Sequence, residues 1–129
     1  AAVRYFLVML AGGAGIPAFL SDIGLGTPYE EGKEKIDLDG RSYILERAYR
    51  ADVAILCADQ VDDMGNCWWA GTNRNMNVAM GTACDIVIVE AKTIVLGGAI
   101  APENIHLPGI FVTAVVQAGA RSHQAKVPS

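Results

Sequence analysis

Asp52-Val53-Ala54-Ile55-Leu56-Cys57-Ala58-Asp59 and Asp85-Ile86-Val87-Ile88-Val89-Glu90 are two continuous apolar runs, each closed at both ends by acids. Runs of this length, rich in β-branched residues and without polar alternation, are the pattern of strands covered on both faces in a parallel sheet. Between them lie a turn, Asp62-Asp63-Met64-Gly65-Asn66, and a short aromatic strand, Cys67-Trp68-Trp69-Ala70. A small-residue helix from Val78 to Cys84 follows, with Asn77 or Asn75 as its N-cap. Strand, helix, strand in that order predicts a right-handed crossover, with the two runs side by side at the sheet centre.

Working outward, Asp37-Leu38-Asp39-Gly40-Arg41 is a turn signal, and the alternation in Ser42-Tyr43-Ile44-Leu45-Glu46 after it predicts a half-exposed strand in a hairpin. Upstream stand two glycine-dense loops, Gly12-Gly13-Ala14-Gly15-Ile16-Pro17 and Gly24-Leu25-Gly26-Thr27-Pro28, and then the charged stretch Glu30 to Lys35. Downstream, Gly109 to Val116 is a last apolar run, and the polar tail Arg121 to Ser129 is expected to fray. At 129 residues the chain has room for one domain, residues 1–129. The opening, Ala1-Ala2-Val3-Arg4 without Met and straight into an uncapped apolar run, reads as a truncated or processed chain.

Composition excludes several classes. Fourteen acidic residues against ten basic ones give a net charge of −4, which offers no field for nucleic acid or an anionic membrane face. The apolar run Tyr5 to Ala11 falls far short of the roughly 18 residues of a spanning helix and has no cleavage site after it. Cys57, Cys67 and Cys84 form an odd set with no C-x-x-C pair, as expected of reduced thiols in a cytoplasm.

Several local patterns invite chemistry. Gly13-x-Gly15-x-x-Ala18 matches a dinucleotide-binding fingerprint, but only Ala18 to Ile23 separate Pro17 from the next glycine, too few for the helix that would aim at a pyrophosphate. The two glycine loops could instead bring free backbone N–H groups close to a ligand, or simply make tight turns. Asp59, Asp62 and Asp63 miss calcium-loop spacing because Val61 stands at a ligand position, which leaves a solvated turn and no metal site. Glu103-x-x-His106 is bracketed by Pro102 and Pro108, so it reads as loop and not as a helical metal pair. No serine lies in a G-x-S-x-G elbow, and Trp68-Trp69 reads as packing. Gly71-Thr72-Asn73-Arg74-Asn75-Met76-Asn77 is richer in amides than capping requires, and Arg74 there can take a carboxylate or phosphate bidentately.

Together these pieces resemble the alpha chain of the family I coenzyme A transferases. The resemblance is carried by Ala11 to Phe19, Gly24-Leu25-Gly26-Thr27, Glu31-Gly32-Lys33, Asp39-Gly40-Arg41, Leu45-Glu46-Arg47, Arg50 to Ala54, Gly65-Asn66, Gly71-Thr72, Arg74-Asn75 with Asn77, and Pro102 to His106 through Pro108 to Val112. It covers nearly the whole chain in order. It implies an α/β fold with an open, mostly parallel sheet and flanking helices, incomplete at the N-terminus, that pairs across the active site with a beta subunit. It implies a nucleophilic glutamate on that partner in a Ser-Glu-Asn-Gly sequence, a context no Glu of this chain has, so no catalytic residue is expected here. Coenzyme A is then a substrate and no cofactor is permanently bound. Gly13, Gly15, Gly24, Gly26, Arg74, Asn75 and Asn77 are the expected contacts to CoA or the carboxylic acid. A nucleotide-binding module built on Gly13-x-Gly15-x-x-Ala18 and a non-catalytic effector-binding or assembly domain stand as alternatives.

Overall fold

The computed structural model describes residues 2–119, so the tail Arg121 to Ser129 lies outside the described residues. The chain opens with a helix, α1 (Ala2–Gly13), and closes it with a paired cap. Ile16 N–H donates to Ala11 O at 2.9 Å and Gly15 N–H to Gly12 O at 3.2 Å, with Gly15 at φ 74°. That is the left-handed helix stop that glycine alone makes without strain. The chain then enters a strand, β1 (Ala18–Ser21). The dinucleotide fingerprint needs the opposite order, strand then glycines then helix, so here the glycines end a helix and aim no N-terminus at a phosphate.

β2 (Lys35–Leu38) and β3 (Arg41–Arg47) form the expected hairpin. Its two turn residues, Asp39 and Gly40, both have positive φ, 50° and 77°, as the Asp-Gly pair foretold. β1 adds to the other side of β3, giving an antiparallel three-stranded sheet in the order β1-β3-β2. Glu46 of β3 is 5% exposed and is held by both its oxygens on Lys33 Nζ at 3.2 Å.

The second sheet carries the parallel core. β4 (Ala51–Asp62), β6 (Cys84–Val95) and β7 (Ala114–Gln117) run parallel, and β5 (Cys67–Trp68) is antiparallel on the β4 edge, in the order β5-β4-β6-β7. The connection between β4 and β6 passes through β5, a 3-10 turn (Gly71–Arg74) and α2 (Asn77–Thr82). Ala54, Leu56 and Ala58 of β4 and Val87, Val89 and Ala91 of β6 form one buried face, packed with Trp69 and Leu107. Val78 and Met80 of α2 and Val112 pack against that core.

Two expectations change. β4 and β6 are covered on one face only within this chain: Val53, Ile55 and Ile86 are 48%, 73% and 45% exposed, and Cys57 is open. An unbroken apolar run records that both faces avoid water in the finished protein, not which chain covers them. Neither Asn75 nor Asn77 caps α2, because Met76 holds the cap position without a side-chain bond. The Asn77 amide donates instead to Asn73 O at 2.8 Å, tying the helix start to the turn before it.

Candidate functional site

In open α/β sheets the crevice at the carboxyl ends of parallel strands is where ligands sit, since loops diverge there and helix starts offer donors. β4 and β6 pair Ala58 with Ala91 and Gln60 with Thr93, which sets Asp59 beside Lys92 toward that end, on the open face of the sheet. Lys92 Nζ meets Asp59 Oδ1 at 2.6 Å, and Asp59 Oδ2 accepts Ala70 N–H at 2.8 Å. The Lys92 ammonium, then the Ala70 N–H, hold the Asp59 carboxyl below its ordinary range, and Asp59 in turn raises the Lys92 amine. Asp59 is therefore no solvated turn residue: it fastens the strand β4, its neighbour β6 and the loop after β5 at one point. A cleft of about 280 Å³ opens there, lined by Cys57, Asp59, Trp69, Asn73, Asn77 and Lys92.

Trp69 is buried and its indole donates to Cys57 O at 2.6 Å, so it is wall and not ligand surface. Its backbone N–H donates to His106 Nδ1 at 3.1 Å. The His106 ring stacks against both indoles, with centroids 6.4 Å from Trp68 and 6.3 Å from Trp69. Burial first, then the nearby Arg74 charge, lower the basicity of His106. Arg74 itself is exposed and forms no ion pair among the described residues. Asn75, which follows it, sits at φ 28°, one of two non-glycine residues with positive φ among those described. Such a backbone persists only where its surroundings impose it, and here the Asn77 amide on Asn73 O and Asn75 N–H on Thr72 O tie the loop on both sides.

The expected contacts do not all come together. Gly13 packs against Thr82 at the far end of α2 from Asn77, and Arg50, which leads into β4, donates to Gly12 O at 2.8 Å. The first glycine loop, Gly15 included, therefore lies at the amino ends of the parallel strands, opposite Arg74, Asn75 and Asn77. Gly24 backs onto the Tyr29 ring, and Gly26 N–H is taken by Glu30 Oε2 at 2.8 Å. Sequence spacing offers Asp59 and His106 only as metal candidates and passes over Lys92. Acid and lysine at equal depth in two parallel runs was the available signal for Asp59 with Lys92; His106 had none, its partner Trp69 being 37 residues away. No group of three metal-ligating side chains occurs among the described residues.

Fold and cleft define one lobe of an α/β subunit with its donors at the carboxyl edge of a parallel core. The family model for coenzyme A transferase matches residues 6–118, and the chain belongs to that family. It is 48% identical over 106 residues to a succinyl-CoA:3-ketoacid coenzyme A transferase subunit from Xanthomonas campestris, covering 82% of this chain and 44% of that protein. It is 39% identical over 105 residues to the acetate CoA-transferase alpha subunit of Escherichia coli, covering 81% of this chain and 48% of that one. The chain thus spans about half the length of the curated relatives it matches. In fold it is similar to glutaconate coenzyme A-transferase from Acidaminococcus fermentans, with a TM-score of 0.80 at 22% identity over 90% of this chain and 44% of that one. A nucleotide-binding module is not favoured. Among the described residues no helix is long and apolar enough to cross a membrane.

Proposed function

We propose that this chain is part of the alpha side of a cytoplasmic CoA-transferase, which moves CoA between an acyl-CoA and a short-chain carboxylic acid together with a beta subunit. The observation that carries the reading is the donor-rich loop at Arg74 to Asn77, placed at the carboxyl edge of the parallel strands with its guanidinium free of acids among the described residues. Both substrates are anionic, through a carboxylate on one and phosphates on the other, and a planar guanidinium fork matches either.

The chemistry proposed is ping-pong. A glutamate carboxylate of the partner attacks the thioester carbonyl and expels CoA thiolate, leaving an acyl-glutamyl anhydride. The thiolate then attacks the glutamyl carbonyl, releases the first acid as carboxylate, and leaves a glutamyl-CoA thioester. A second carboxylate reverses the two steps and leaves with CoA. This chain supplies anion contacts and shape, with Arg74, Asn75 and Asn77 as proposed contacts at this end of the sheet; Gly13, Gly15, Gly24 and Gly26, proposed as further contacts to CoA or the acid, lie outside the cleft lining. Substituting Arg74→Lys keeps the charge and removes the fork, so kcat/KM for CoA exchange in the assembled enzyme is expected to fall while its melting temperature holds. A drop in melting temperature with kinetics intact would make the loop scaffolding. Hydroxylamine trapping during turnover is expected to label the partner chain and none of the acids here.

A further inference from the structure

The tautomer of His106 is set by the backbone. A main-chain N–H can only donate, so Trp69 N–H at 3.1 Å from Nδ1 requires a lone pair on that nitrogen, and the neutral ring carries its proton on Nε2. The ring cannot turn away: indoles stack on it, and His106 N–H is bonded to Cys67 O at 2.9 Å. Nε2 has no protein partner among the described residues, and since no buried side-chain nitrogen or oxygen there lacks one, this N–H opens to solvent. Arg74 lies close enough for its charge to bear on the ring, and it forms no ion pair among the described residues. An unclaimed N–H within the field of a cation suits an anion.

We propose that His106 is a substrate-binding residue that presents its Nε2–H to an anionic group of the substrate, either the carboxylate of the acid or a phosphate of CoA. The identity of the ligand rests on the transferase reading; the donor geometry does not. Because Nδ1 is committed to Trp69 N–H, the imidazole serves as a neutral donor and not as a general base. The strap from Ile105 to Gly109 then has a functional consequence, since it fixes the direction of that donor.

The test uses the chain assembled with its partner subunit, in buffers of constant ionic strength. Acetate is the carboxylate probe and adenosine 3′,5′-bisphosphate the phosphate probe, each read by competitive inhibition and by thermal shift. His106→Asn keeps an oxygen where Nδ1 accepts from Trp69 and loses the outer donor. Its affinity for one probe is expected to fall about tenfold or more, with the unliganded melting temperature holding. His106→Gln restores a donor at the Nε2 position and is expected to recover most of that loss. Weakening of acetate alone assigns the carboxylate, and weakening of the bisphosphate alone assigns the CoA phosphate. In the unsubstituted enzyme the same probe is expected to shield His106 from diethyl pyrocarbonate, read by peptide mass mapping that separates it from His123. Unchanged affinity for both probes in His106→Asn, or no shielding by either, overturns the proposal. Transfer of CoA with unaltered KM in His106→Asn sinks this inference alone; His106-dependent anion binding in an assembly that transfers no CoA sinks the transferase reading alone.

Discussion

Asp62→Asn tests how the strap that carries His106 is held. Asp62 is 2% exposed, and its Oδ1 accepts Met64 N–H at 3.0 Å and Asn66 N–H at 2.8 Å, while Oδ2 accepts the Asn66 side-chain amide at 2.9 Å. The Asn66 side-chain oxygen, Oδ1, accepts Gly109 N–H at 2.8 Å, so one carboxylate orients one amide, and that amide ties the turn to the segment after His106. Asparagine at position 62 keeps an oxygen for the two backbone donors and sets its own NH₂ against that of Asn66. Flipping Asn66 to relieve the clash would turn an NH₂ toward Gly109 N–H. Loss of the third bond, with a donor left unmet, costs about 1–3 kcal/mol, and the two remaining bonds weaken by about 1 kcal/mol each on losing a charged acceptor. The total, about 3–5 kcal/mol, is a large part of a stability of roughly 5–15 kcal/mol and corresponds to a fall in melting temperature on the order of 10–20 °C.

The measurement is differential scanning calorimetry of Asp62→Asn beside Asp63→Asn, in whatever assembly the unsubstituted protein forms. Asp63 is exposed, so its substitution is expected to cost less than about 0.5 kcal/mol. Equal melting temperatures for the two variants would refute the reasoning. The same pair corrects the reading of Asp59, Asp62 and Asp63 as one solvated turn, which holds for Asp63 alone.

Two further predictions concern titration and thiols. His106 has its pKa lowered by burial and Arg74, so its contribution to stability is whole above the ordinary 6.5 and is lost as pH falls from there through the folded value; stability curves between pH 7.5 and 5 are expected to decline more in the native protein than in His106→Asn. Burial, with the Asp62 charge added, pushes the Cys67 thiol up from 9.0 to about 12, so stability holds below pH 9 and falls as pH rises beyond it; iodoacetamide mapping at pH 8 is expected to label the exposed Cys57 first, the half-buried Cys84 more slowly, and Cys67 only on unfolding. Early labelling of Cys67 would contradict its burial.

Features governed by local sterics were legible from the sequence. Asp39-Gly40 demanded a two-residue hairpin because few residues tolerate positive φ, and the two apolar runs paired in parallel because their length and β-branching left little else. The second antiparallel partner of β3 was not legible, since β1 offers only Ala18-Phe19-Leu20-Ser21, too short to carry a period. Glycine spacing alone was ambiguous around Gly15 for a physical reason: a glycine with positive φ serves equally to leave a helix or to enter one, and only the short segment after Pro17 argued against a nucleotide loop.

At the site the limit was distance along the chain. Arg74 and its amides stand out in the sequence because they crowd one loop, whereas Asp59 and Lys92 are joined across 33 residues and Asn66 and Gly109 across 43. Proximity in sequence pairs His106 with Glu103, three residues away; the fold pairs it with Trp69, and that exchange changes the chemistry. With Glu103 it would have been a metal ligand or a base. Held by a backbone donor on one nitrogen, it is left with a proton to offer on the other. Val53, Ile55 and Ile86 lie on the same open face of β4 and β6 as Cys57 and Asp59 of the cleft, but nearer the amino ends of the strands. A surface laid along that face would therefore meet both the bare strands and the cleft, which ties the cover of the sheet to the proposed transferase assembly.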